Sequence, residues 1–121
     1  MIRYTTEHLW VRQEKDGASA TVGITRHAQE TLGDIVLVEL PALGRHVQGT
    51  AVGVVESTKT AADLHMPATG DIVECNQVLV DQPELLNTDP MGAGWVFRLD
   101  AIEAGQFDAL MDEAAYAAFA G

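Results

Sequence analysis

Apolar residues that alternate with polar or small ones predict β-strands near the start of the chain. In segment 18–24 every second residue is apolar: Ala18, Ala20, Val22 and Ile24. A period of two is typical of a half-buried strand. Segment 9–12 is expected to pair with it through a turn at 15–17, because Asp-Gly tolerates the positive φ angles of tight hairpin turns. We therefore predict an N-terminal β-hairpin.

A short helix and a buried strand are predicted to follow this hairpin. Thr25 is a favourable N-cap, apolar residues come after it at helical spacing, and Gly33 is suited to end the helix. Segment 35–40 is then a nearly continuous apolar run stopped by Pro41. Such a run predicts a central strand that is covered on both faces.

The rest of the chain contains further short apolar runs and one helical pattern. Runs at 51–55, 72–74 and 95–99 are separated by glycine and proline residues, which is typical of an antiparallel sandwich or barrel. Near the C-terminus, apolar residues recur at helical spacing. We predict that they form one amphipathic helix closing an end of the core: Phe107, Leu110, Met111, Ala114, Ala118 and Phe119.

Length and composition are those of one folded domain. The 121 residues suit a single domain, 1–121, and 47% hydrophobic residues are too many for a disordered chain. No apolar run approaches the roughly 20 residues that span a bilayer, and the N-terminus lacks the apolar core of a signal peptide. Cys75 is the only cysteine, as suits a reducing compartment. We expect a monomer in the bacterial cytoplasm, with no membrane association.

The chain is strongly acidic, with a formal net charge of −11. Beyond Lys59 the only lysine or arginine is Arg98. Phosphate binding requires clustered basic side chains, so nucleic acid is not an expected partner. The acidic field would steer the protein toward basic surfaces of other proteins, or it serves only to keep a small protein in solution. The charge alone does not decide between these interpretations.

The two lysines, Lys15 and Lys59, lie in different settings. Lys15 belongs to the polar turn EKDG and is expected to be a solvated surface charge. Strand-like residues flank a short polar stretch around Lys59, which predicts a hairpin with this lysine at or near its tip. Most such lysines are ordinary turn residues, but a tip is also accessible to a modifying enzyme.

The segment around Lys59 resembles the lipoylation segment of glycine cleavage H proteins. It reads VVESTKTAADLHMPATGDIVECN, and the family typically has ESVKAASD followed by a proline, a glycine and a branched strand. The similarity extends over nearly the whole chain through YTTEHLWV, VGITRHAQETLGDIVLVELPALG and PELLNTDPMGAGWVFRL. The resemblance implies a mainly β fold, a flattened antiparallel β-sandwich (barrel-sandwich hybrid, lipoyl-domain-like), with short peripheral helices and a C-terminal amphipathic helix.

The resemblance also implies a function. Lipoate joined to Lys59 as an amide by a lipoyl or octanoyl transferase would carry the aminomethyl group of glycine. The cargo would pass from glycine decarboxylase (P protein) to the aminomethyltransferase (T protein), and lipoamide dehydrogenase (L protein) would reoxidise the dithiol. The protein is then a non-catalytic carrier, in which the dithiolane supplies the chemistry and the chain supplies position.

The family is thought to shelter its loaded arm in a surface cleft with acidic and hydroxyl groups. Asp63 matches the acidic position after the lysine and is the candidate contact for the amine. Glu56, Ser57, Glu7 and His8 are further candidates for arm recognition or docking. Glu56 and Asp63 have an alternative interpretation as ordinary solvated turn residues, which the lipoylating enzyme reads by shape or charge.

Two positions depart from the family pattern. The family usually reads HEW, and this chain has His8, Leu9 and Trp10, so a glutamate implicated in holding the loaded amine is absent. Glu7 is predicted to lie on the same strand face as Leu9, because side chains two apart in a strand share a face, and it is a candidate to compensate. Met91 stands in DPM where the family has DPY, which is consistent with a variation in packing.

Other functions have weaker support in the sequence. Ser57 and Lys59 form an S-x-K triplet, but G-x-S-x-G, a phosphate-binding loop, a dinucleotide fingerprint and metal-ligand histidine spacing are all missing. A biotinyl domain would have methionines beside its lysine, and a 2-oxo acid dehydrogenase domain an Asp-Lys-Ala core. A lipoate relay protein that donates lipoyl groups to other lipoyl domains stays the main alternative, because Leu9 replaces the expected glutamate. A purely structural adaptor is another.

Overall fold

The computed structural model describes residues 1–121 and contains nine strands and five short helices. The strands are β1 (Ile2–Tyr4), β2 (Leu9–Gln13), β3 (Ala20–Ile24), β4 (Ile35–Glu39), β5 (Gly44–His46), β6 (Ala51–Ser57), β7 (Ala61–His65), β8 (Gly70–Cys75) and β9 (Phe97–Asp100). The helices are α1 (Arg26–Leu32), α2 (Val78–Asp81), α3 (Leu85–Thr88), α4 (Ala104–Asp108) and α5 (Glu113–Ala120). None of these helices has the length and apolar character that crossing a membrane requires.

Two antiparallel sheets share one hydrophobic core. The larger sheet has the strand order β1-β2-β3-β9-β8-β5, and the smaller one has the order β4-β6-β7. Val22 and Phe97 of the larger sheet belong to the same buried cluster as Val55 and Leu64 of the smaller sheet. The predicted flattened β-sandwich with short peripheral helices is therefore confirmed.

The N-terminal hairpin and the first helix form where the sequence predicts them. β2 and β3 pair along their whole length, and Gly17 in their turn has a φ of 76°. Thr25 caps α1 by accepting a hydrogen bond from the backbone N–H of Ala28 at 3.2 Å. Gly33, with a φ of 90°, donates its N–H to the Gln29 carbonyl and ends the helix.

Strand β3 is covered on both faces, although its alternating sequence predicts one exposed face. All five of its residues are buried. The ring of Trp10 lies over Gly23, where an added Cβ atom would come within 2.7 Å of the indole. Trp10 forms a second, smaller cluster with Tyr4 and Tyr116. Gly23 of β3 thus leaves room for the Trp10 ring, which covers the face of the strand that the sequence pattern predicts to be exposed.

Strand β4 is an edge strand, and the prediction of a central strand covered on both faces is wrong. It is the first strand of the smaller sheet, with Val36 and Leu37 exposed by 48% and 44%. A β-bulge between Ile35 and Leu37 interrupts the pairing with β6, so two consecutive apolar side chains face outward. The side chain of Asn87 bonds to both the N–H and the carbonyl of Ile35 and covers part of this edge.

The C-terminal segment is helical as predicted, but it forms two short helices instead of one amphipathic helix. Between α4 and α5, Met111 pairs with Tyr4 of β1 through two backbone hydrogen bonds. Asp112 then caps α5. The face that α5 buries also differs from the predicted one. Tyr116, which was not in the predicted apolar face, is 9% exposed, whereas Phe119, which was, is 51% exposed.

Replacing Gly23 with alanine is expected to lower the free energy of unfolding by about 1–3 kcal/mol, the usual cost of extra atoms in a packed region. The added methyl group would meet the Trp10 ring at 2.7 Å. The indole has little freedom to withdraw, since its N–H donates to the Pro90 carbonyl at 3.0 Å. Urea unfolding followed by tryptophan fluorescence measures the change.

Gly105→Ala is the matched control for this substitution. No atom lies within 4 Å of a Cβ placed on Gly105, and the residue lies in α4, where alanine is favoured over glycine. The control is expected to be at least as stable as the wild type. Wild-type stability of Gly23→Ala would contradict the close packing of Trp10 on β3.

Candidate functional site

Lys59 lies at the tip of the β6–β7 hairpin, as the sequence predicts. β6 ends at Ser57 and β7 begins at Ala61, so residues 58–60 form the connection. The Lys59 side chain is exposed. The tip is tied to the loop after α1, because the N–H of Thr58 donates to the Asp34 carbonyl at 3.0 Å.

Ser57, the last residue of β6, stabilises the conformation of this tip through its side chain. It is only 5% exposed. Its Oγ accepts hydrogen bonds from the N–H groups of Lys59 and Thr60 at 3.2 and 3.1 Å and donates to the Thr60 carbonyl at 3.1 Å. The structure therefore places Ser57 under the turn, where it orients the backbone that carries Lys59.

The Lys59 side chain runs across the C-terminal end of α1. A Cβ atom added to Gly33 would lie 3.1 Å from Lys59 Cε and 3.7 Å from Nζ. The absence of a side chain at Gly33 thus leaves room for the lysine to pass. The amine lies beside a helix whose residues Ala28, Thr31 and Leu32 line a surface cleft.

This depression, here called the α1 cleft, has a volume of about 140 Å³. Its lining is mostly apolar, and its polar groups are Glu7, His8, Thr31 and Asp63. The apolar residues come from β2, β3, α1, β6 and β7: Leu9, Ile24, Ala28, Leu32, Val55, Ala62 and Leu64. An apolar groove with a few polar groups is the usual construction of a small-molecule site.

The structure brings three of the predicted recognition residues together in the α1 cleft, namely Glu7, His8 and Asp63. Glu7 and Asp63 are exposed, and His8 is half-buried. Glu56 is exposed on β6, where it pairs with Leu37 and Ala61, and it does not line the cleft.

Glu7 lines the cleft from the loop before β2 and not, as predicted, from a strand. It precedes β2, which begins at Leu9, and His8 between them has a φ of 65°. The expectation that Glu7 shares a strand face with Leu9 is therefore wrong, because strand alternation does not extend through a residue with positive φ. Both side chains nevertheless line the α1 cleft.

The His8 ring is held by several neighbours. Its Nδ1 lies 2.7 Å from the Tyr116 hydroxyl, which lies 2.8 Å from Thr25 Oγ1. The rings of His8 and His27 have centroids 4.5 Å apart. Burial lowers the pKa of the His8 imidazole, the neighbouring His27 lowers this pKa further, and Glu7 opposes both effects. Sequence reasoning did not find Tyr116, because its partner lies at the other end of the chain.

The two positions that depart from the family pattern lie inside the fold. Leu9 is 3% exposed and belongs to the main core cluster as well as to the cleft lining. Met91 is half-buried against the cluster of Tyr4, Trp10 and Tyr116. The flexible methionine side chain suits such a gap between aromatic rings.

A second depression, of about 240 Å³, lies on another side of Glu7. It is larger than the α1 cleft. However, none of its lining residues belongs to the hairpin 51–65 that carries Lys59. The α1 cleft contains Val55, Ala62, Asp63 and Leu64 of that hairpin. A third depression, of about 350 Å³, also contains hairpin residues, 51–54 and Asp63. Only the α1 cleft is lined by helix α1, whose C-terminal end the Lys59 side chain crosses.

Comparison with known proteins assigns the family. The model of the Glycine cleavage H-protein family matches residues 2–121. The chain belongs to the glycine cleavage H-protein family. The glycine cleavage system H protein 1 of Pseudomonas aeruginosa is 50% identical over 115 residues, covering 95% of this chain and 90% of that protein. The H protein of Thermotoga maritima is 49% identical over 120 residues, covering 98% and 95%.

A solved structure of the same family has a similar fold. The crystal structure of a glycine cleavage system H protein from Mycobacterium marinum superposes with a TM-score of 0.83 at 39% sequence identity. The similarity covers 97% of this chain and 94% of that one. The sandwich architecture is thus that of the H-protein family.

In this member of the H-protein family, Ser57→Ala is expected to loosen the lysine turn. The substitution removes the oxygen that bonds to the N–H groups of Lys59 and Thr60, and a hydrogen bond of this kind contributes about 0.5–1.5 kcal/mol. Amide hydrogen exchange at residues 59 and 60 should become faster, and the free energy of unfolding should fall.

Thr58→Ala is the control at the same tip, since the Thr58 side chain is exposed. This variant should keep wild-type exchange at residues 59 and 60. Unchanged exchange in Ser57→Ala would show that the serine does not hold the turn.

Proposed function

We propose that the protein is the lipoyl carrier of a glycine cleavage system, with lipoate attached to Lys59 as an amide. The position of Lys59 carries this proposal: it lies at an exposed hairpin tip beside an apolar cleft. Membership of the glycine cleavage H-protein family supports the same role.

The surroundings of Lys59 fit a lipoyl group. The amine is accessible to a lipoyl or octanoyl transferase, and amide formation would remove its charge and leave an arm that is largely apolar. Lysine and lipoyl together would reach on the order of 14 Å, from bonds of about 1.5 Å. The α1 cleft offers this arm an apolar wall that includes Leu32, Val55 and Leu64. When bound, the group supplies a dithiol that is oxidised reversibly and a sulfur atom that holds the aminomethyl cargo.

The residues of the chain would orient the arm and shelter its cargo. Glu7 and Asp63 place carboxylates in the α1 cleft, where they can accept charge-assisted hydrogen bonds from a cationic amine. In this role they replace the glutamate that is absent at Leu9. Glu56, exposed near the tip, is proposed to contact the lipoylating enzyme, and Ser57 to keep the turn in the shape that this enzyme recognises.

The carrier would present its arm to separate enzymes in turn. We propose glycine decarboxylase, the aminomethyltransferase and lipoamide dehydrogenase as these partners. The net charge of −11 favours encounter with basic surfaces. In this proposal the protein is a monomeric single domain of the bacterial cytoplasm, with no catalytic residue and no resident metal.

Lys59→Arg is expected to abolish lipoylation, because arginine keeps the positive charge but offers no amine for an amide bond. Intact mass spectrometry after expression with lipoate should show one lipoyl group on the wild type and none on this variant. Lys15→Arg is the matched control at the other lysine and should be modified like the wild type. A wild-type protein that stays unmodified in its native host would refute the carrier function.

A lipoate relay is the second candidate function, and buried Leu9 in place of the expected glutamate is the observation that favours it. The two functions differ in what fully lipoylated protein does with glycine decarboxylase. A carrier for glycine cleavage supports glycine-dependent exchange of CO₂, and Lys59→Arg should not. If lipoylated protein supports no exchange but transfers its lipoyl group to another lipoyl domain, the relay function is correct.

A further inference from the structure

Tyr116 connects the C-terminal helix α5 to the wall of the α1 cleft. Its hydroxyl lies 2.7 Å from His8 Nδ1 and 2.8 Å from Thr25 Oγ1. His8 is one of the polar residues of the cleft, whereas Tyr116 and Thr25 do not line it. A residue near the end of the chain thus contacts a cleft residue near its start.

The backbone at His8 is held in an uncommon conformation. Its φ of 65° lies in the left-handed region, which costs a non-glycine residue about 1–3 kcal/mol. Hydrogen bonds hold this geometry, because the His8 N–H donates to the Thr5 carbonyl and the His8 carbonyl accepts from the Thr25 N–H. Strained residues that are held in this way are concentrated at functional sites.

Stacking and hydrogen bonding restrict the His8 ring in different ways. The rings of His27 and Phe119, with centroids 4.5 and 5.7 Å away, restrict its plane. A half-turn of the ring about the Cβ–Cγ bond would keep this plane but reverse the sides on which Nδ1 and Nε2 lie. The bond between Nδ1 and Tyr116 opposes this flip, and Nε2 forms no hydrogen bond within the protein. Nε2 is therefore the nitrogen left for a ligand.

We propose that Tyr116 is a positioning residue of the α1 cleft, which with Thr25 fixes His8 as the Nδ1–H tautomer and leaves Nε2 to accept a hydrogen bond from an amine cargo. We assign the direction of these bonds as follows: His8 Nδ1–H donates to the Tyr116 oxygen, and Tyr116 O–H donates to Thr25 Oγ1. The distances of 2.7 and 2.8 Å fit both directions, and the reverse direction would make His8 the Nε2–H tautomer, the outcome that overturns the proposal. The same Oγ1 accepts the N–H of Ala28 at the start of α1. The inference rests on the proposed carrier function.

A neutral His8 in this tautomer suits a cationic amine. A protonated ring would repel the amine. Burial and the neighbouring His27 lower the pKa of His8 by more than Glu7 raises it, which favours the neutral form. Glu7 and Asp63 lie in the same cleft. With Nε2 of His8 they offer three acceptors, which matches the three N–H donors of an ammonium group. His8 thereby contributes an acceptor in a site where Leu9 contributes none.

Nitrogen-15 NMR of the unmodified protein tests the first step without any lipoyl group. The neutral His8 ring of the wild type should be the Nδ1–H tautomer, and Tyr116→Phe should shift the population toward the Nε2–H tautomer. Tyr4→Phe is the matched control, because Tyr4 stacks on Tyr116 at 4.5 Å in the same cluster and is equally enclosed. It should keep the wild-type tautomer. An Nε2–H tautomer in the wild type overturns the proposal, whether or not the variants fold.

Retention of the amine cargo tests whether His8 Nε2 accepts a hydrogen bond from it. Lipoylated proteins are loaded with glycine and glycine decarboxylase, separated from the enzyme, and followed by the release of ammonia. Tyr116→Phe should release ammonia about threefold to tenfold faster than the wild type, as expected for the loss of one hydrogen bond, and Tyr4→Phe should match the wild type. Equal release from Tyr116→Phe and wild type, or equal acceleration in both variants, overturns the proposal.

The intact mass of each protein before loading distinguishes a failure of the carrier function from a failure of the positioning role of Tyr116. An unmodified Lys59 overturns the carrier function and this inference with it. A lipoylated Lys59 with wild-type retention in Tyr116→Phe overturns the inference alone and leaves the carrier function in place.

Discussion

The packing of the β6–β7 hairpin against the larger sheet is the constraint on which the site depends. Val55 and Leu64 anchor the two strands in the shared core, so the stem has a fixed position while residues 58–60 extend beyond it. Ser57 then bonds to the backbone of the turn. Rigid support below an exposed Lys59 combines two properties that a swinging arm needs, namely a defined point of attachment and freedom of the side chain.

The α1 cleft is a product of the same packing. Helix α1 begins at Arg26, after its N-cap Thr25, which directly follows β3. Ala28 and Leu32 of the helix line the cleft together with Val55 and Leu64 of the hairpin stem. The core therefore extends to the surface as an apolar groove beside the lysine. The polar groups of this groove come from three elements: the loop before β2 contributes Glu7 and His8, α1 contributes Thr31, and strand β7 contributes Asp63.

Sequence reasoning succeeded where the determining interactions are local. Asp16 and Gly17 specify the first turn, because the aspartate accepts hydrogen bonds from nearby backbone N–H groups and glycine tolerates positive φ. Thr25 and Gly33 specify the ends of α1 for similar reasons. The polar stretch around Lys59 between two strand-like runs specified a hairpin tip, and the likeness to the H-protein family named the lysine as the candidate for modification.

The sequence by itself thus determined most of the strands, the first turn, the hairpin tip, the first helix and the candidate lysine, since each depends on residues close together in the chain. Only the tertiary structure decided that β4 is an edge strand, that Met111 pairs with Tyr4 and divides the C-terminal helix, and that Glu7, His8 and Asp63 share one cleft. These features depend on partners far away in sequence, because an apolar pattern shows which side chains avoid water but not which neighbours will cover them.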